Sequence, residues 1–199
     1  MEVFSNREVR VFWTLSGSDD NNACLVVCTQ TQEGVIIDAQ LGPEEIIRQA
    51  KDTIVKAILI THRHKDQLEG LGDITSATGA PVVAHSKDAP NMPISPDILV
   101  EDDDSIWAGT LEVKVIRTLG HTSGSVCYRV CNHLFTGDTL YSQGPGESRG
   151  VDTTRQVLNS IAGKLLVLSY DTFILPGHGN GSKPGISKQL CQGVCPRIP

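Results

Sequence analysis

Short apolar runs alternate with polar loops along most of the chain, a pattern typical of a domain that contains many short strands. Apolar runs of strand length lie at residues 9–15, 23–29, 35–37, 56–60, 81–84, 105–107, 111–119, 126–130, 133–135 and 172–175. Apolar residues at helical spacing predict helices just after residue 43, from residue 66 to 79 and from residue 152 to about 168. The mixture predicts the α/β class, and a length of 199 residues suits a single domain spanning residues 1–199.

Composition and charge narrow the range of partners. The hydrophobic fraction is 39%, the charged fraction is 20%, and no apolar run is long enough to span a membrane. The formal net charge of -6, without a cluster of Lys and Arg, argues against nucleic-acid binding. Residues 1–10 contain acidic side chains and lack a continuous apolar core, so we expect no secretory signal and a cytoplasmic protein. A small-molecule substrate is the expected partner, and the oligomeric state is left open.

The six cysteines are expected to be reduced thiols, because a cytoplasmic protein rarely keeps disulfides. Cys127 lies within an apolar run, where cysteine usually behaves as a small hydrophobic residue. Cys191 and Cys195 lie four apart in a Gly- and Pro-containing tail. They would supply only half of a structural metal site, so partly exposed thiols are the simpler interpretation.

The first candidate for chemistry is the segment directly after the apolar run that ends at Ile60. On an extended chain, residues two apart face the same way, so His62 and His64 direct their imidazoles toward one point. Asp66 continues the same spacing. Two imidazoles and a carboxylate form half of the shell of a divalent metal. Asp66 followed by Glu69 also resembles a helix capping box, so a purely structural role for Asp66 is the alternative.

Three more candidates occupy equivalent places, where an apolar run gives way to a Gly-containing loop: His121, Asp138 and His178. Strand ends in a sheet-based α/β domain converge on one rim, so these side chains predict two adjacent cation sites of the kind used for hydrolysis. Four unrelated loop histidines are the alternative, and their equivalent placement argues against it. Of the remaining histidines, we expect His85 to be structural or at the surface and His133 to be exposed.

Four ordered motifs resemble those of the metallo-β-lactamase-fold hydrolases, most of all the small glyoxalase II-like members. The motifs are Thr61-His62-x-His64-x-Asp66, Gly120-His121-Thr122-Ser123-Gly124-Ser125, Gly137-Asp138-Thr139-Leu140 and Pro176-Gly177-His178-Gly179. Asp38 with Gly42 also resembles the Asp-containing loop after the early strands of that family. The resemblance extends from about residue 9 to residue 179. It implies a four-layered αβ/βα sandwich, in which two mixed β-sheets lie face to face with helices outside and metals at one edge.

The resemblance also implies a ligand set for each of two metals. Three histidines would hold the first metal: His62, His64 and His121. The second metal would be held by Asp66, the residue after it and His178, with Asp138 bridging the two metals. Asp66 would be the catalytic residue, because it would orient the water that attacks a carbonyl group and handle its proton. Zinc is the expected metal, and iron or manganese are the alternatives.

Gln67 departs from the pattern of the family, which has His directly after this Asp. A neutral amide offers zinc only a hard carbonyl oxygen, which is a poor ligand beside imidazole. We therefore expect one tight zinc site and a second site that is weak or empty, with Gln67 as a weak contact of that second site. Alternatively, Gln67 points away and water completes the second site.

The predicted function is that of a metal-dependent hydrolase that cleaves a thioester, lactone, ester or amide. Two alternatives stay open. A persulfide dioxygenase-like oxidoreductase of the same fold would hold one iron with His62, His121 and Asp138, and such an enzyme would suit a weak second site. A non-catalytic binding protein with a degenerate second metal site is compatible with Gln67.

Overall fold

The chain forms two β-sheets that pack face to face, and the computed structural model describes residues 2–16, 20–148 and 150–181. The predictions for Cys191 and Cys195 lie outside the described residues. The strands are β1 (Glu2–Ser5), β2 (Val9–Ser16), β3 (Asn21–Cys28), β4 (Glu33–Ile37), β5 (Ile54–Leu59), β6 (Val82–His85), β7 (Ile98–Val100), β8 (Ser105–Ala108), β9 (Leu111–Arg117), β10 (Val126–Val130), β11 (His133–Gly137), β12 (Leu140–Tyr141), β13 (Gly144–Pro145) and β14 (Phe173–Pro176).

Both sheets mix parallel and antiparallel pairs. The seven strands of the first sheet follow chain order from β1 to β7, with antiparallel pairs up to β4 and parallel pairs from β4 onward. The order in the second sheet is β14-β11-β10-β9-β8, in which β11 and β14 are parallel and the other pairs are antiparallel. Strands β12 and β13 form a separate hairpin.

Helices cover the outer face of each sheet. Helices α1 (Glu44–Ala50) and α2 (Leu71–Thr78) pack on the first sheet, where Ile46 and Ile74 join its outer apolar cluster. Helix α3 (Val151–Ser160) and its π-helical continuation (Ile161–Leu165) pack on the second sheet. The apolar side predicted for this last helix is confirmed, because Val157, Ile161 and Leu165 are buried.

Strand β3 shows why the layers form, since all eight of its residues are buried. Side chains alternate between the two faces of a strand, so a continuous apolar run serves two cores at once. The core between the sheets receives Cys24, Val26 and Cys28. The core beneath α1 and α2 receives Ala23, Leu25 and Val27. The predicted α/β class and the four-layered αβ/βα sandwich are confirmed, whereas the assignment of residues 1–199 to one domain stays a prediction.

The chain after β5 differs from the helix predicted over residues 66–79. A 3₁₀ turn (Lys65–Gln67) comes first, and α2 begins only after Gly70. The physical reason is backbone pairing with Ala39, whose amide donates to the carbonyl of Gln67 at 2.9 Å and whose carbonyl accepts from the amide of Gly70 at 2.8 Å. Helix α2 has no side-chain cap, so the interpretation of Asp66 as a helix cap is wrong.

Two histidines lie away from the rim of the sheets. The expectation that His133 is exposed is wrong: it is 1% exposed, and its ring centroid lies 4.4 Å from that of Phe4. The turn before β11 is so short that His133 already belongs to the strand and packs inward. His85 is buried and structural, because its Nδ1 accepts from the amide of Lys87 at 3.0 Å. Within the described ranges, no helix is long and apolar enough to cross a membrane.

Candidate metal centre

Loops at one edge of the sandwich bring the six predicted site residues together. His62 and His64 follow β5, and His121 lies between β9 and β10. Asp138 follows β11, and His178 follows β14, which pairs with β11 in parallel. Two groups of side chains place their potential ligand atoms within 4.8 Å of one another: His62, His64, His121 and Asp138, and then Asp66, Asp138 and His178.

The first group contains a triad of imidazole rings. The ring centroids of His62, His64 and His121 are 4.6, 4.7 and 4.9 Å apart, and the three interplanar angles are 84°, 86° and 89°. Nε2 of His121 lies 2.8 Å from Nδ1 of His64. The rings therefore present nitrogen atoms, and not their faces, to a common point.

Hydrogen bonds on the outer side of two rings determine their tautomers. The Thr61 hydroxyl donates to the Asp38 carboxylate at 2.9 Å, so it accepts from Nδ1 of His62 at 3.1 Å. The carbonyl of Glu147 accepts from Nδ1 of His121 at 2.7 Å. Both Nε2 atoms are therefore left with a lone pair that faces the cluster. Such outer hydrogen bonds are typical of metal-binding histidines.

The arrangement of nitrogen atoms fits a divalent transition metal. Nε2 of His62 is buried and has no hydrogen-bond partner among the described residues. Nε2 of His121 lies 2.8 Å from Nδ1 of His64, close enough for a proton or a cation to lie between the two nitrogens. Imidazole is a preferred ligand of zinc, iron and copper. The residues present therefore suit the metal that the sequence predicted.

Asp138 lies between the two groups. Its Oδ2 is 3.6 Å from Nε2 of His62, 3.4 Å from Nε2 of His121 and 3.5 Å from Nε2 of His178. Two glycines make room for it: a Cβ on Gly177 would lie 2.4 Å from Oδ1 of Asp138, and one on Gly146 would lie 1.7 Å from its carbonyl oxygen. Gly177 is therefore needed for close packing against the carboxylate of Asp138, and Gly146 for close packing against its backbone.

The second group pairs Asp66 with His178, whose Nε2 lies 3.1 Å from Oδ2 of the carboxylate. Gln67 is fully buried and faces this group, so the alternative in which Gln67 points away is wrong. Its Nε2 lies 3.2 Å from Oδ2 of Asp66 and 3.4 Å from the carbonyl of Gly177. Because both neighbours accept hydrogen bonds, the amide presents N–H groups to the second site and not its carbonyl oxygen.

Burial and local charge shape the electrostatics of the centre. Burial lowers the pKa of His62 to about 4, so its imidazole is neutral at pH 7 and its lone pair is available. The hydrogen bond from His178 holds the pKa of Asp66 well below its usual range. Burial alone would raise the pKa of Asp138, but the nearby histidines, above all the hydrogen bond from His178, lower it. The cluster therefore combines the neutral imidazole of His62 with ionised carboxylates, and both kinds of group suit a cation.

Two residues near the centre had no signal in the sequence. Asp88 follows β6 and contacts both loops that carry the histidine triad. Tyr141 follows Asp138 closely in the chain, and its ring centroid lies 6.2 Å from that of His178. Neither residue belongs to a repeated spacing of His and Asp, so only the folded chain brings them to the site.

A cavity of about 650 Å³ opens beside His178. Its lining combines hydroxyl, amide and carboxylate groups, among them Asp20, Tyr141, Gln143, Glu147 and Asn180. Asp20 and Glu147 supply the carboxylates of this lining. The cavity therefore offers a polar approach to the cluster.

Comparison with known proteins reveals relatives that include named hydrolases. An uncharacterized protein of Mycobacterium tuberculosis is 30% identical over 191 residues, covering 79% of this chain and 85% of that protein. A hydroxyacylglutathione hydrolase of Bdellovibrio bacteriovorus is 32% identical over 131 residues, covering 64% of this chain. The match spans 52% of that enzyme, so about half of the hydrolase has a counterpart in the aligned region.

A solved structure and a family model support the same relationship. The crystal structure of the BLEG-1 B3 metallo-beta-lactamase superposes with a TM-score of 0.80 at 28% sequence identity, covering 88% of this chain and 95% of that chain. The model of the metallo-beta-lactamase superfamily matches residues 17–178, most of the sequence and all six predicted site residues. The chain therefore belongs to the metallo-β-lactamase superfamily.

Proposed function

We propose that the protein is a metal-dependent hydrolase that cleaves a thioester, lactone, ester or amide. The observation that carries the proposal is the convergence of His62, His64 and His121, whose potential ligand nitrogens lie within 4.8 Å of one another. A bound divalent ion supplies an activated water at neutral pH, because it lowers the pKa of water to about 7. The hydroxyacylglutathione hydrolase relative supports hydrolysis as the reaction class.

The first metal would be held by the histidine triad together with Asp138. The four side chains offer three imidazole nitrogens and one carboxylate oxygen within 4.8 Å of one another, a donor set that zinc, iron or manganese accepts. Zinc is the proposed metal, since imidazole is its usual nitrogen ligand. His62 and His121 are held by their outer hydrogen bonds, so little ordering is needed when the ion binds.

The second half of the cluster would bind a metal weakly. Asp66, Asp138 and His178 supply two carboxylates and one imidazole, but Gln67 directs an amide N–H at the same space. We propose that Asp66 acts chiefly on water and substrate. Its carboxylate is ionised and half-buried at the mouth of the site, so it orients the attacking water by accepting one of its protons in a hydrogen bond.

The cavity beside His178 is the proposed substrate site. Its described lining is polar, with hydroxyl, amide and carboxylate groups that can form hydrogen bonds with the acyl group of a substrate. A thioester of the acyl-glutathione type, named in the hydroxyacylglutathione hydrolase relative, belongs among the candidate substrates.

One observation favours a second candidate function. The amide of Gln67 occupies the position from which a second metal would draw a nitrogen ligand, and this arrangement also suits an oxidoreductase with one iron. His62, His121 and Asp138 would then form the iron site. Iron in the purified protein, with consumption of oxygen in the presence of a persulfide, would select this candidate.

Elemental analysis of the purified protein, combined with a substrate panel, tests the proposal. We expect about one tightly held zinc per chain after dialysis and turnover of at least one member of a panel of thioesters, lactones, esters and amides. A protein that retains no metal and turns over no member of the panel would contradict the proposal and favour a binding role.

A further inference from the structure

Asp88 lies outside the metal cluster but connects two of the loops that carry its histidines. It follows β6 in the first sheet and is 1% exposed. One of the loops follows β5 in the same sheet, and the other joins β9 and β10 in the second sheet. A single buried carboxylate therefore spans the junction between the two sheets at the metal-binding edge.

Both oxygens of Asp88 accept hydrogen bonds from both loops. Oδ2 accepts from the amide of Arg63 at 3.1 Å and from the hydroxyl of Thr122 at 2.6 Å. Oδ1 accepts from the guanidinium of Arg63 at 2.7 Å, from the amide of Gly124 at 2.9 Å and from the hydroxyl of Ser123 at 3.5 Å. Asp88 thus binds the backbone of each loop directly.

The partners of Asp88 are the chain neighbours of the histidine triad. Arg63 lies between His62 and His64, and Thr122 follows His121. Because its contacts include the amide of Arg63, a shift of the Asp88 carboxylate would move both imidazoles on that loop relative to the third. Resting on the metal-dependent function proposed above, we propose that Asp88 is a positioning residue that sets the spacing of the two histidine loops and hence the affinity and geometry of the first metal site.

Contacts other than those of Asp88 also hold the two sheets together at this edge. A change at Asp88 can therefore alter the positions of the loops without unfolding the sandwich. The amide of Val126 donates to the carbonyl of Thr61 at 2.9 Å, and the hydroxyl of Tyr128 donates to the carbonyl of Ile60 at 3.0 Å. These bonds do not involve Asp88. The sandwich therefore keeps its sheet junction when the contacts of Asp88 are weakened.

The Asp88→Asn variant tests the role, because it keeps the volume and removes one acceptor. Each Asp88 oxygen accepts from at least two donors, so an amide nitrogen in either orientation faces groups that also donate. We expect the Kd for zinc, measured by competition with a chelator, to rise by about 10- to 100-fold. The visible absorption spectrum of the variant saturated with Co²⁺ should also change, which a purely structural role would not cause.

Asp97→Asn is the matched control. Its carboxylate accepts from the amide of Val82 at 2.8 Å, so it also supports β6, but it contacts neither histidine loop. We expect the zinc affinity and Co²⁺ spectrum of this control to equal those of the unmodified protein. The metal-free forms of both variants should keep the circular dichroism spectrum of the unmodified protein.

The outcomes separate this inference from the proposed function. An unmodified protein that binds no zinc contradicts the proposed function itself. An unmodified protein that binds zinc, with an Asp88→Asn variant of the same Kd and the same Co²⁺ spectrum, overturns the role of Asp88 alone. If Asp88→Asn does not fold, Thr122→Val removes one of the donors and decides: a weaker zinc affinity supports the role, and an unchanged affinity overturns it.

Discussion

The two halves of the metal cluster share Asp138 but differ in how their donors are held. In the first half, His62 and His121 each use one nitrogen for an outer hydrogen bond, which directs the other nitrogen toward the cluster. In the second half, the buried Gln67 directs its amide N–H at Asp66. The halves therefore differ in how their lone pairs are oriented and engaged, and metal affinity depends on such outer contacts as well as on the ligands.

Exposure does not separate the halves. The side chain of His62 is 1% exposed, but His64 of the same half is exposed, and the side chains of His178 and Asp66 are 24% and 33% exposed. The halves differ in their donors, since the first half has three imidazoles and the second half has one. We therefore expect the first half to bind the metal and the second half to handle water and substrate, and four predictions test this division.

The largest effect is expected for His121→Ala, which removes one imidazole of the first half. The variant should lose tight zinc, and turnover should fall by about 1000-fold, which corresponds to roughly 4 kcal/mol of lost transition-state stabilisation. Zinc per chain after dialysis and kcat/KM are the measurements. Cys131→Ser, at an exposed position on the turn after β10, is the control and should change neither. Tight zinc in His121→Ala would place the tight site elsewhere.

Asp66→Asn tests the other half. Asparagine keeps the size of the side chain but removes the charge that orients water, so kcat should fall by about 100-fold while the tight zinc remains. Metal analysis and steady-state kinetics on the same sample give both quantities. The division between the halves breaks down if this variant loses zinc as completely as His121→Ala.

Gln67→His should convert the weaker half into a second metal site. The imidazole replaces an N–H donor with a nitrogen lone pair, so zinc content should rise toward two per chain, with a gain of about 10-fold or more in affinity for the second ion. Gln67→Ala removes the amide without adding a ligand, and it should leave the zinc content near one. Equal zinc content in both variants would show that Gln67 does not limit the second half.

The smallest effect concerns Asp38, which supports the first half through Thr61. Burial raises the pKa of Asp38 to about 7, above the value of about 3.9 expected in the unfolded chain. The folded state therefore binds this proton more tightly, and the resulting stabilisation is present at low pH and is lost as the pH rises through about 7, at up to about 1.4 kcal/mol per pH unit.

Urea unfolding of the metal-free protein between about pH 5 and about pH 8 measures this loss. Asp38→Asn should flatten the pH dependence, because asparagine does not titrate and tolerates the positive φ of 60° at this position. Equal slopes in the two metal-free proteins would show that Asp38 titrates normally.

Local rules were sufficient for much of the fold and the site. The two-residue period of a strand is a property of the backbone, so the common direction of His62 and His64 follows from the sequence. Continuous apolar runs such as β3 likewise predict strands that are buried on both faces. Prediction from local patterns failed where the backbone pairs with a distant segment. The backbone of Ala39 forms hydrogen bonds with the segment before α2, so the helix begins later than its apolar spacing predicts. Such prediction also failed at His133, which the packing of Phe4 buries.

The family, the class of fold and the set of candidate ligands follow from the sequence, because these depend on the types and spacing of residues along the chain. The folded chain was needed to show that Gln67 faces the second half as a donor and that Asp88 joins the two histidine loops. Both facts concern hydrogen bonds between residues far apart in the chain. Their geometry exists only after the two sheets have packed, because the packing sets which donors and acceptors meet in the buried edge.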